Sequence, residues 1–210
     1  MTRFYPSVDN PEHAYLENLL HKICSKHSIL VVDVPTYKLL PQSQKDVYAK
    51  NFSHESLYIR GLPDKLVLTD PPFFVDAKST VRKDTGNISI ELSAYYFDLE
   101  RSISGIRVFF LYSVNGEPRI FSPASAAPAA IIIQPVWTGM EYQRFIYYAE
   151  KIQEHFSKTI PIYRQDTEGS RDPFILLPIN DLWGCSANLE NFLTQYAGRK
   201  GNYRELWRWI

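Results

Sequence analysis

Three residues pose the chemical question in this chain: Asp64, Asp76 and Lys78. Asp64 precedes the apolar run KLVLT, and Asp76 and Lys78 end a second run, FFVDAK, with Asp70-Pro71-Pro72 between the two. Residues 62–69 and 73–79 are short, apolar and bounded by turn signals, which predicts two strands. Proline gives no N–H to a ladder and holds its predecessor out of the helical region, so the Asp-Pro-Pro run predicts the break between them. Folded back there as an antiparallel hairpin, the chain puts Asp64 roughly opposite residues 76–78. Alternation along a strand turns Asp76 and Lys78 to one face and Val75 and Ala77 to the other. Two carboxylates and an ammonium then meet at one end of the hairpin.

Such a set suits a divalent cation. Mg²⁺ and Mn²⁺ take hard oxygen ligands, often one or two carboxylates completed by water and a substrate phosphate. A bound ion polarises a phosphodiester oxygen and acidifies water, and a lysine beside it can hold the attacking water and offset charge on the phosphoryl oxygens. Asp70 rivals Asp64 as a ligand, but its place before two prolines makes it a turn residue. Asp64 is therefore preferred.

Pro63-Asp64, a short apolar strand, and then Asp76-Ala77-Lys78 resemble the PD-(D/E)XK nuclease superfamily, over roughly residues 10–115. Gly61-Leu62-Pro63-Asp64 fits the GxxD of its RecB-like branch, and Glu91 to Tyr95 fits QxxxY with Glu in the Gln place. The resemblance implies a restriction-endonuclease-like core and a Mg²⁺- or Mn²⁺-dependent deoxyribonuclease. Asp64 and Asp76 would be its metal ligands, the Ala77 carbonyl a third, and Lys78 would position the water. Superfamily members often carry a metal-reaching Glu on the first helix, and Glu17 is the best match. Glu91 is a further candidate for the site. Arg82, Lys83 and Tyr95 are candidate DNA contacts.

The elements that must position these residues follow from pattern. Asn10-Pro11-Glu12 is a helix start, and Leu16, Leu19, Leu20 and Ile23 make a buried stripe ending near residues 26–28. His13, Glu17 and His21 form a row along one side of this helix, and the two histidines are read as a wet edge. Residues 29–34 predict a strand, and residues 45–52 leave a short helix open. Ile88, Leu92, Tyr95, Leu99 and Ile103 repeat at helical spacing, predicting a helix capped by Asn87 or Ser89. Residues 106–114 and 118–121 predict a hairpin around Asn115-Gly116. Residues 122–130 read as a loop, and 131–136 as a strand-like run. Thr138-Gly139-Met140-Glu141 has capping-box spacing, with a helix over 140–157 behind it. Further on, 163–171 reads as a polar loop and 189–196 as a helix. The tail, 199–210, mixes cations with aromatics, which suits phosphate contact with base stacking or packing on the domain or a second subunit, and packing is preferred.

The fold expected is α/β, a central mixed sheet flanked by helices, in a single domain over 1–210. Its core would span about 10–158, with a C-terminal helical extension over about 159–210. Lys+Arg and Asp+Glu balance at 23 each, so no global field draws in nucleic acid and DNA would need a local basic face. The only cysteines, Cys24 and Cys185, suggest neither a disulfide framework nor a zinc or iron–sulfur site. Residues 1–6 hold no apolar signal core, and no stretch approaches a membrane span, so a soluble cytoplasmic protein is expected. No phosphate loop of the GxxxxGK[ST] type is present, which argues against ATP use. The function expected is hydrolysis of DNA phosphodiester bonds, with a homodimer or multi-subunit assembly as a candidate form. The alternative is a non-catalytic DNA-binding or assembly subunit that keeps the same fold.

Overall fold

The computed structural model describes residues 11–34, 41–51, 53–78, 86–114, 116–125, 131–135, 140–165 and 173–197. Among them, ten strands form two sheets. The larger sheet runs β1 (Leu30–Asp33), β2 (Lys65–Leu68), β3 (Phe73–Ala77), β5 (Val108–Val114), β6 (Glu117–Phe121) and β10 (Ala187–Asn188) in spatial order. It is mixed, because β3 and β5 are parallel while its other pairs are antiparallel. The smaller sheet runs β4 (Asn87–Glu91), β9 (Phe174–Pro178), β7 (Ile131–Pro135) and β8 (Ile162–Gln165).

The Asp-Pro-Pro break is a turn between antiparallel strands, with Lys65 opposite Val75 and Leu66 opposite Phe74. Extended by one residue, that register sets Asp64 opposite Asp76. On β3 the odd residues Phe73, Val75 and Ala77 belong to a core with Leu16, Leu20 and Ile23 of α1 (Pro11–Lys26). Leu189 and Leu193 of α7 (Leu189–Thr194) complete that core. The even residue Asp76 faces the opposite way, beside Phe110, which is its partner on β5 and part of a second core.

That second core surrounds α4 (Leu92–Ile103), which packs against β4, β5, β9 and α5 (Met140–Phe156). Every side chain of α4 from Leu92 through Leu99 is buried. A helix enclosed on all sides is a core helix, not an amphipathic surface one. Tyr96 and Tyr148 stack at 4.4 Å within it.

Several expectations need correction. The helix expected from Asn87 onward begins at Leu92, and the preceding residues form β4 with the alternating burial of a strand paired to β9. Ile88 sits in phase with both periods, and pairing with β9 decided the outcome. Ile103, expected on the core stripe, is 56% exposed. Residues 42–60, left largely open, form α2 (Gln42–Lys50) and α3 (His54–Arg60). The Oγ of Ser53 caps α3, accepting from the Ser56 N–H at 3.2 Å. The polar loop expected from residue 163 includes β8. Nor are residues 159–197 a helical extension: they supply β8, β9, β10, α6 (Ile179–Cys185) and α7, and their side chains enter both cores. The loop over 79–85, the capping box at 138–139 and the Arg/Trp tail lie outside the described residues. No helix among the described residues is long and apolar enough to cross a membrane.

Candidate active site

The site is built where α1, the loop entering β2 and the end of β3 meet. Gly61 ends α3, and a Cβ there would lie 3.2 Å from Leu57 O and 3.3 Å from Ala94 Cα, so the close approach of α3 to α4 favours glycine. The Gly61 carbonyl accepts from Arg101 Nη1 at 2.8 Å, which ties the loop to α4. Three residues on, the Asp64 carbonyl accepts from Val34 N at 2.9 Å and so continues the β1–β2 ladder. Its side chain crosses the end of the hairpin, where Oδ2 accepts from the Ala77 N–H at 3.2 Å. Backbone and side chain are both anchored.

Asp64 Oδ2 also lies 3.6 Å from His13 Nε2, and that nitrogen lies 3.2 Å from Glu17 Oε1. His13 and Glu17 are one helical turn apart on α1 and point the same way. One ligand atom from each of His13, Glu17 and Asp64 can be taken so that all three lie within 4.8 Å of one another. One imidazole and two carboxylates in that space suit a transition-type divalent ion such as Mn²⁺ better than all-oxygen-seeking Mg²⁺. His13, expected at a wet helix edge, is 7% exposed. Its spacing from Glu17 was the available signal.

Asp76 and Lys78 lie on the α4 side. Their charged atoms, Oδ2 and Nζ, are 2.8 Å apart, and the Lys78 N–H donates to Leu111 O at 2.9 Å, carrying the β3–β5 ladder past the strand end. Burial pushes the Asp76 carboxyl well above the usual carboxylate range, with Asp64 and Asp98 adding to the rise and Lys78 opposing it. For Lys78, burial works against the charge, but Asp76, Asp64 and Glu91 outweigh it and hold the ammonium more firmly protonated than usual. Behind Asp76 sits Asp98 of α4, fully buried and 2.6 Å from Arg101 Nη1. Asp98 is a hydrogen-bonding neighbour of Asp76. Nothing in the sequence pattern singled out this second pair.

The structure thus brings Glu17 to Asp64 beside His13 and Asp76 to Lys78 on the α4 side, with the Ala77 N–H bonded to Asp64 between them. Glu91 is not on a helix: it is the last residue of β4 and the cap position of α4, within electrostatic reach of Lys78. Tyr95 is fully buried, stacked on Phe110 and donating its hydroxyl to Pro123 O at 3.0 Å, so its polar atom is used inside the core and does not face a ligand. Asp70 is exposed in the turn. Arg82 and Lys83 lie outside the described residues. Comparisons with protein-family models, with curated proteins and with solved structures return no match.

Proposed function

We propose that the chain is a divalent-metal-dependent nuclease of restriction-endonuclease-like fold, hydrolysing DNA phosphodiester bonds. The observation that carries this reading is the convergence of His13, Glu17 and Asp64 beside the Asp76–Lys78 pair, drawn from separate elements to one hairpin end. Nucleophilic and surface-solvation alternatives fit it less well, since neither needs an imidazole and two acids facing one another.

On this reading His13, Glu17 and Asp64 would hold the ion, with Asp76 behind them as a further carboxylate. When bound, the ion would supply a Lewis acid for a phosphoryl oxygen and acidify a water molecule. Lys78 then has two tasks suited to a fixed ammonium: to orient the attacking water and to offset charge gathering on the phosphoryl oxygens. The Ala77 N–H keeps Asp64 Oδ2 in place, and the Arg101 contact to Gly61 fixes the loop that carries it. An intracellular setting, and a second copy or other subunits to complete a DNA-binding groove, belong to the same proposal.

The test is digestion of linear, circular and branched DNA with Mn²⁺, with Mg²⁺ and with EDTA. Cleavage should require the ion. Asp64→Asn should abolish it and His13→Ala should weaken Mn²⁺ binding by about tenfold, some 1.4 kcal/mol, whereas Asp70→Asn should keep most of the activity. Ion-independent cleavage, or loss in Asp70→Asn with Asp64→Asn active, would overturn the assignment. DNA binding without cleavage under every condition would point to the scaffold alternative.

A further inference from the structure

Lys65 occupies a position where its strand otherwise presents apolar side chains. It pairs with Val75 in the ladder and shares the α1 face with Val67 and Val75, where it is 5% exposed. An ammonium that buried needs partners. Among the described residues it has two: Glu17 Oε2 at 3.3 Å, reached from α1, and Asp33 Oδ1 across the β1–β2 ladder. The second oxygen of Glu17 is the one facing His13. Glu17 is therefore divided between Lys65 on one side and the His13–Asp64 donor set on the other.

We propose that Lys65 is a positioning residue and internal counter-ion of this site, holding Glu17 in place without an ion and lowering the affinity for a divalent cation. The inference rests on the metal reading above. Its physics is Coulombic. Glu17 side-chain exposure is only 17%, so solvent screens it poorly, whereas Asp33 is 69% exposed and water screens its pair with Lys65 more. Without the ammonium, Glu17 and Asp64 would repel each other across His13 and the ion-free fold would loosen. A divalent ion bound to the same acids meets the Lys65 charge as a repulsion. The outcome is a folded ion-free protein with an ion that binds and leaves readily.

The experiment is titration of the full chain with Mn²⁺ by calorimetry, together with melting temperature with and without the ion. Lys65→Met should bind Mn²⁺ about tenfold or more tightly, melt lower without the ion, and gain more from it than wild type does. Lys65→Gln, which keeps a hydrogen-bonding head without charge, carries the same expectation if the methionine variant folds poorly. Lys65→Arg should hold the wild-type affinity. Asp33→Asn should lower the melting temperature by loosening β1 without tightening Mn²⁺ binding. If Lys65→Met and Lys65→Gln leave the Mn²⁺ affinity unchanged or weaker, while Asp64→Asn still loses it, Lys65 only anchors β1 and this inference alone fails. If wild type binds no Mn²⁺, or Asp64→Asn binds it undiminished, the site assignment fails and this inference with it.

Discussion

On the α1 side of the larger sheet, Glu17 and Asp64 keep 17% and 16% of their side chains exposed and both face His13; on the α4 side, Asp98 is fully enclosed and Asp76 nearly so, each beside its own cation. The same charge types are handled in two ways a few residues apart. The α1-side acids are grouped around an imidazole and keep part of their surface in solvent. Enclosed acids, each neutralised by Lys78 or Arg101, make a rigid wall, because breaking a buried pair leaves an uncompensated charge. One side is left partly open to solvent, the other is closed over its ion pairs.

The strongest way to break this contrast is on the enclosed side. Arg101→Met strips Asp98 of its partner and Gly61 of a donor, and should destabilise by about 3–5 kcal/mol, or a fall in melting temperature of roughly 10 °C. The double variant Asp98→Leu with Arg101→Met should recover most of that loss, since an apolar pair of similar volume is often tolerated. A single variant as stable as wild type would mean the α4 side is not the closed wall described. Next in size is Lys78→Ala, which tests the boundary between the sides. Turnover should drop by about 10²-fold or more. Unchanged turnover with weaker DNA binding, and a salt dependence flattened by about one unit of slope, would make Lys78 a phosphate anchor instead.

The smallest effect sharpens the α1 side, by asking how far its openness extends. Cys24 is fully buried on α1 among Leu20, Ile23 and their neighbours, and burial pushes its thiol up to about 12. A thiol raised on folding binds its proton more tightly in the native state. Its contribution is therefore complete below the unfolded-state value near 9 and fades as pH rises through the folded one. Cys24→Ala should flatten the decline of melting temperature between about pH 9 and 12. Native Cys24 should also resist iodoacetamide while the half-buried Cys185 reacts. Rapid labelling of Cys24 would show that α1 is loosely seated along its whole length.

The hairpin, its register and the shared face of Asp76 and Lys78 were legible because a proline break and period-two alternation are local signals. The helix α1 was equally plain, with cap, proline and stripe all in phase. The role of His13 was not, since burial of a residue at a helix edge depends on the loop that covers it. β4 was missed because Ile88, Ile90 and Leu92 satisfy a strand and a helix start alike, and its partner lies far along the chain. The Asp98–Arg101 pair was invisible for a similar reason. A charged pair one turn apart reads as a solvated face until a sheet and a helix enclose it.

That distant pairing has a consequence for how the molecule is made. Among the described residues, β4 is hydrogen-bonded only to β9, and α1 shares its core with α7. Emerging from the ribosome, the N-terminal half carries every acid of the site, but its two cores stay open until residues 174–196 are available. Contacts of such long sequence separation slow folding, because loop closure must precede the burial that rewards it. Nascent chains therefore leave β4 unpaired from its own synthesis until residues 174–178 follow, an interval in which chaperones can bind. The geometry of the acid cluster, on this topology, is among the last things the chain acquires.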